Sequence, residues 1–246
     1  FIPYFYYNWA MIEQAGGHAD AFTSAGEGKI KKKVGDNEAS FYKKLSDEYD
    51  FLANCAPKCY GVEDAGDGKH FVIMEDLTYG LVRPCFMDVK LGTCSAGEDA
   101  SPEKKAAMRE KDLATTTHDL GVRIVGMKYF DSEKGDFVKH DKPWGKALTK
   151  QNIQQSLLSF FNSEASKNVT VPAVVEKLRE IEAVMEKQQK VRIYSSSILI
   201  AYDSAEDSDY KPRVRMIDFA HVHDITDGGH DEGYITGIKN FIHYLS

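Results

Sequence analysis

The order of predicted elements points to a two-lobed α+β protein. Strands with a single helix occupy the chain up to Met74, and a larger mixed half of strands and helices follows. Between the two, at Glu75-Asp76-Leu77-Thr78-Tyr79-Gly80, polarity and glycine rise sharply. The boundary is placed there, with an N-terminal lobe over 1–78 and a C-terminal lobe over 79–246.

A chain of 246 residues can bury a substantial core, and 42% hydrophobic with 28% charged residues is an ordinary globular composition. The net charge of −7 argues against broad nucleic-acid binding and against general attraction to membranes. No apolar run approaches spanning length, so no membrane insertion is expected. The first residue is Phe rather than Met, which reads as a trimmed N-terminus and leaves targeting open. The opening Phe1 to Tyr7 is a poor signal peptide. Cys55, Cys59, Cys85 and Cys94 do not form a disulfide framework, and no second Cys/His pair follows Cys55 and Cys59 at finger spacing. A reducing, cytoplasmic or nuclear setting and a monomer are expected.

In chain order, residues 8 to 35 read as extended pieces broken by Gly16-Gly17 and Gly26-Glu27-Gly28. Asn37 is the predicted cap of a helix over about 38–53, with Phe41, Leu45 and Tyr49 on one face. Gly66-Asp67-Gly68 predicts a hairpin turn into the buried strand His70 to Met74. In Pro84 to Gly92, strand alternation puts Phe86, Asp88 and Lys90 on one face and Met87, Val89 and Leu91 on the other. An acid and a base aimed together suggest that they meet something polar; the alternative is an edge strand with a surface ion pair.

Ser101-Pro102 then begins a predicted helix over about 102–112, with positions 104, 108 and 111 on one face. Gly121 to Phe130 reads as a strand and Asp131 to Trp144 as a polar loop. Thr149 is the expected cap of a helix to about Phe161, and Thr170 that of another with Val174, Leu178, Ile181 and Met185 in register. Val191 to Tyr202 and Val214 to Ala220 read as strands, and Gly233 to Leu245 as a closing helix.

The chemistry follows from position. Asp218, ending a hydrophobic strand, can present a carboxylate to a metal, although strand-end aspartates commonly serve turns or caps. Lysines bunch at Lys29, Lys31, Lys32 and Lys33 and again at Lys104, Lys105 and Lys111; taken alone, such runs are solvated faces. Combined with the Asp88/Lys90 face and a hinge-like segment, they suggest phosphoryl transfer, which needs phosphate clamps, a metal and positioning.

These residues also carry a resemblance. Pro84-x-x-x-Asp88-x-Lys90-x-Gly92, Tyr194-Ser195-Ser196-Ser197 and Ile217-Asp218-Phe219-Ala220-His221 are similar to motifs of the inositol polyphosphate kinase family. So are Gln14 to His18, Glu38 with Phe41-Tyr42, Gly121 to Met127, and Asp231 to Tyr234. The resemblance spans nearly the whole chain. It implies a kinase-like fold of antiparallel sheets and helices with ATP in the interlobe cleft. Lys32 would reach the ATP phosphates, with Lys31 and Lys33 as register alternatives. Glu75 and Leu77 would hold adenine, and Asp88 would lie near ribose and acceptor. Asp218 would bind Mg2+. Lys90, Lys104, Lys111, Lys142 and His221 would form the inositol polyphosphate pocket, with Asp88 and Lys90 catalytic.

Within the family, Gly97 to Ser101 and Arg192 to Ser197 look most like inositol hexakisphosphate kinases, which make a diphosphoinositol pentakisphosphate. The alternatives are a multikinase acting on ring hydroxyls and a non-catalytic binder of inositol polyphosphates. A protein kinase is disfavoured, because neither His-Arg-Asp nor Asp-Phe-Gly occurs in the chain.

Overall fold

The computed structural model describes residues 22–246. The glycine pair at Gly16-Gly17 and the Gln14 to His18 motif lie outside the described residues. Four strands form the first sheet: β1 (Phe22–Ser24), β2 (Lys29–Gly35), β3 (Cys59–Gly66) and β4 (Lys69–Glu75), in the antiparallel order β1-β2-β4-β3. The β3–β4 hairpin turns at Gly66-Asp67-Gly68 as expected. All three residues take positive φ, at 79°, 52° and 66°, which explains the two glycines around a tolerant aspartate.

Helix α1 (Asp36–Lys44) packs against this sheet. It is shorter than the predicted 38–53, and Asn37 does not cap it; Gly35 stands at the N-cap. The Asp47, Glu48 and Tyr49 amides all donate to the Lys44 carbonyl, closing a turn at Ser46-Asp47, residue types that compete with helix through local polar bonds. That turn folds the Tyr49 ring back onto Phe41, 5.3 Å away and nearly parallel. A single 3₁₀ turn at Asp50–Leu52 follows.

The remaining strands are β5 (Pro84–Leu91), β6 (Val122–Asp131), β7 (Asp136–His140), β8 (Val191–Ile193), β9 (Ser197–Asp203), β10 (Arg213–Ile217) and β11 (Val222–Asp224), in two further sheets. Five of them run antiparallel in the order β10-β9-β5-β6-β7, while β11 and β8 pair separately. The strand with Asp88 and Lys90 is therefore central. An edge strand with a surface ion pair is excluded, since Asp88 is only 7% exposed.

Helices cover this half. They are α2 (Pro102–Leu113), α3 (Thr117–Leu120), α4 (Lys142–Ala147), α5 (Ile153–Ser159), α6 (Val171–Lys187) and α7 (Glu232–Leu245). Val174, Leu178, Ile181 and Met185 of α6 are all buried, as the helical stripe predicts. Met87, Val89 and Leu91 join the same core from the back of β5.

Four sequence expectations need correction. Asp131 to Trp144 is not a loop: residues 131–140 form the β6–β7 hairpin, whose polar, solvent-facing β7 hides the strand signal, and Lys142 is the first residue of α4. Asp141 caps α4 by accepting from the Trp144 amide at 3.1 Å. The helix expected from Thr149 begins at Ile153, because Asn152 takes the N-cap and its Oδ1 accepts from the Thr149 amide at 2.8 Å. Thr170 makes no side-chain cap, since one turn of wider helix at Ser166–Thr170 runs straight into α6. The span Val191 to Tyr202 is two strands, broken where Ser195 adopts φ 60°.

Candidate active site

β2 runs antiparallel to β4, and this register fixes which lysine of the basic run turns inward. Lys31 Nζ pairs with Glu63 at 2.7 Å on the outer side, and Lys33 is exposed. Lys32 lies between two carboxylates, 2.7 Å from Glu38 Oε1 and 2.5 Å from Asp218 Oδ1. Burial alone would pull its pKa down; the charges of Asp218 and Glu38 more than offset that and hold it above the usual lysine value. Glu38 is itself pushed up by burial, against the pull of Lys32.

Asp218 follows β10 at φ 65°, a left-handed backbone that costs a non-glycine residue energy and must be held by its surroundings. Helix α1 does the holding. Phe219 stacks on Phe41 with centroids 4.0 Å apart and meets Tyr42 edge-on. The Phe219 amide also donates to the Glu38 carboxylate. One helix thus grips both the aspartate's lysine partner and the ring beside it.

On β5, Asp88 pairs across the ladders with Leu199 and Gly126, and a bulge in the β5–β6 register follows it. Its Oδ1 is buried without a hydrogen-bond partner among the described residues. Burial, then the negative charge of Asp218, push its pKa up to about 7; the Ser197 hydroxyl pulls the other way. Two neighbouring carboxylates, one with an unpartnered oxygen among the described residues, are an oxygen donor set suited to a hard divalent cation.

Two residues along, Lys90 stands opposite Arg123 in the β5–β6 ladder. Its pKa is lowered, first by burial and then by Arg123. Arg123 is 8% exposed, and its Nη1 has no hydrogen-bond partner among the described residues. The buried guanidinium and the half-buried Lys90 ammonium stand side by side, and burial outweighs the pull of Asp88 on both, so an anion reaching this end of the strand is favoured.

The remaining residues divide. His221 lies in the field of Lys104, Asp99, His223 and Lys90, and burial is the main cause of its lowered pKa. Lys142 acts electrostatically on Lys90. Lys104, on α2, and Lys142, on α4, are both exposed. Lys111 is exposed on α2, and none of the interactions of the described residues joins it to the others.

At the hinge, Leu77 is buried with Phe86 and Ala201 in a small apolar cluster apart from the main core, flanked by Leu81 and Leu199. Arg213 Nη1 donates to the carbonyls of Leu77 and Tyr79 at 2.9 and 2.8 Å, which fixes the segment. The Glu75 carboxylate instead turns toward Arg215 (3.8 Å) and a 620 Å³ groove behind the hinge, so only its backbone can face the cluster.

Sequence reasoning did not assign roles to Glu38 or Arg123. Arg123 carried a signal, a single charge within the apolar run Val122 to Met127. The role of Glu38 depends on α1 folding over β2, which no local pattern announces.

With this geometry in hand, comparison with known proteins is informative. A sequence model described as inositol polyphosphate kinase matches residues 71–246. Inositol hexakisphosphate kinase 2 of Oryctolagus cuniculus is 34% identical over 212 residues, covering 70% of this chain and 50% of that protein. Inositol hexakisphosphate kinase 3 of Homo sapiens is 32% identical over 206 residues, covering 71% and 50%. The chain spans about half the length of the curated relatives it matches. Among solved structures, the inositol phosphate multikinase Ipk2 of S. cerevisiae, in complex with ADP and Mn2+, superposes with a TM-score of 0.74 at 26% identity, over 88% of this chain and 97% of that one. A second solved structure of an inositol phosphate multikinase gives 0.70 at 29% identity, over 85% and 97%.

Proposed function

The chain belongs to the inositol polyphosphate kinase family, and on that premise we propose that it transfers the γ-phosphoryl group of ATP to inositol hexakisphosphate. The product is a diphosphoinositol pentakisphosphate. The observation that carries this reading is the convergence on one face of Lys32, Asp218, Asp88 and Lys90, from three separate strands or strand ends.

ATP would lie between the four-stranded and five-stranded sheets, with the lobes dividing at 78/79. Adenine would rest on Leu77, Phe86 and Ala201, with the backbone of Glu75 and Leu77 at its polar edge. Lys32, oriented by Glu38, would hold the phosphates. Asp218, with Asp88 beside it, would hold Mg2+, which when bound neutralises charge on the phosphates being transferred.

The acceptor is already an anion, so the main barrier is repulsion between two polyanions. Lys90 and Arg123, half-buried and buried cations with Asp88 acting on both, lower that barrier more than the same charges would in water. Lys104, Lys142 and His221 would orient the inositol ring from its other side. An acceptor phosphate oxygen then attacks the γ-phosphorus as its bond to the β-bridging oxygen breaks, and ADP leaves. No proton need be removed, so Asp88 serves for positioning.

A second reading, phosphorylation of ring hydroxyls in the manner of a multikinase, is favoured by one observation. A carboxylate pushed up to about 7 suits a general base at neutral pH. ATP turnover measured across a panel of inositol phosphates, with Asp218→Asn as control, tests both. Turnover that requires Mg2+ and is lost in Asp218→Asn is expected, highest with the hexakisphosphate. Preference for a lower inositol phosphate would favour the second reading, and no turnover would leave a binding protein.

A further inference from the structure

Beside the polyphosphate pocket lies a cluster of which the phosphoryl-transfer reading uses only His221. His223 lies in the middle of β11 and His221 immediately precedes the strand, two residues apart. Asp99 reaches them from the loop that precedes α2. One donor atom from each of the three lies within 4.8 Å of the other two.

The His223–Asp99 pair is the most telling part. Nε2 of His223 is buried and makes no hydrogen bond among the described residues, although Asp99 Oδ1 stands 3.4 Å away. Two ligands about 2.0–2.1 Å from a tetrahedral ion stand roughly 3.3 Å apart. The pair therefore has the separation of neighbouring ligands on one metal ion and is too long for a good N–H···O bond.

The surroundings keep this arrangement in place. The ladder pairs His223 with Arg192, and the Tyr194 amide donates to the His221 carbonyl at 2.9 Å. The neighbour of Asp99, Glu98, is held by Arg192 Nη1 at 3.2 Å and by the Tyr194 hydroxyl at 3.1 Å. Gly97 supplies the space: a Cβ there would fall 2.6 Å from His223 Nε2 and 2.9 Å from Asp99 Oδ1. Any side chain at 97 would fill the volume beside the donor atoms.

We propose that Asp99, His221 and His223 form a site for a divalent transition cation of the zinc class, distinct from Asp218, with water in the fourth position. Two imidazoles and one carboxylate favour zinc or cobalt over magnesium, which demands oxygen ligands. The bound ion ties the loop before α2 to β11, and so fixes the start of the helix that carries Lys104. The proposal does not depend on the kinase reading.

The test is a Co2+ titration of the metal-stripped protein, read by its visible absorption bands, followed by displacement with Zn2+ and metal analysis. One ion per chain is expected, with a rise in thermal midpoint on Zn2+ addition. His223→Asn and Asp99→Asn should each weaken binding at least about tenfold and abolish the midpoint rise, with unchanged circular dichroism. Gly97→Ala should weaken it too, although every ligand remains. Cys59→Ser should bind normally. Absence of Co2+ and Zn2+ binding, binding unchanged in both His223→Asn and Asp99→Asn, or loss of binding in Cys59→Ser would each overturn the site.

Discussion

Lys32 Nζ stands 2.5 Å from Asp218 Oδ1, joining β2 to a residue 186 positions further along the chain. Glu38 grips the same nitrogen at 2.7 Å, so the lysine has one structural and one functional partner. Lys32→Met leaves the Glu38 carboxylate buried with no cation and is expected to destabilise the fold by about 3 kcal/mol. Urea unfolding measures this. Glu38→Gln keeps the shape but loosens the lysine, so ATP turnover should fall about tenfold or more while the urea midpoint moves less than in Lys32→Met.

Asp88 separates the two acceptor chemistries. Asp88→Asn keeps the volume but cannot accept a proton. Phosphorylation of a ring hydroxyl should fall by about 10²-fold or more, whereas phosphorylation of the hexakisphosphate should fall much less. Rates on both acceptors with one protein preparation decide it; equal losses would contradict a positioning role.

Lys90 sets a pH dependence. Its pKa lies below the ordinary lysine value of 10.5 because burial, then Arg123, disfavour its charge. A lysine so shifted is charged at low pH and loses its proton earlier as pH rises. The profile of kcat/KM for the polyphosphate should therefore fall on its alkaline side at a lower pH than an ordinary lysine would give. Arg123→Gln removes the repulsion but not the burial. It should move that limb upward, though not all the way, while weakening polyphosphate binding.

The end of β5 depends on close backbone approach. Gly92 donates to the Gly121 carbonyl at 3.0 Å, and α7 crosses them at Gly237. A Cβ at 237 would fall 2.3 Å from Gly121 O and 2.9 Å from Gly92 N. Gly237→Ala must push the helix off the strand, and a loss of roughly 1–3 kcal/mol is expected in urea unfolding. Turnover should fall as well, since Lys90 lies two residues from Gly92.

What could be read from the chain alone followed the reach of each signal. β5 and α6 were legible because alternation and the 3.6-residue stripe are local, and the structure buries the faces they name. The β6–β7 hairpin was not, because Asp136 to His140 is polar and lies at the sheet's edge. The break at Ser195 carries no glycine or proline to mark it. In the site, Asp88, Lys90 and Asp218 stand out as charges on strands. Choosing Lys32 over its neighbours required Glu38 and Asp218 to be brought to it by tertiary structure, and Arg123 acquires meaning only opposite Lys90.

The central claim concerns the bond that is formed. Incubating the protein with ATP, Mg2+ and inositol hexakisphosphate and following the product by phosphorus NMR tests it most directly. A pair of coupled diphosphate signals from the isolated inositol product, distinct from those of ATP and ADP and absent with Asp218→Asn, is the predicted result. Only monoester signals with the hexakisphosphate unconsumed, while a lower inositol phosphate gains a new monoester, would contradict it.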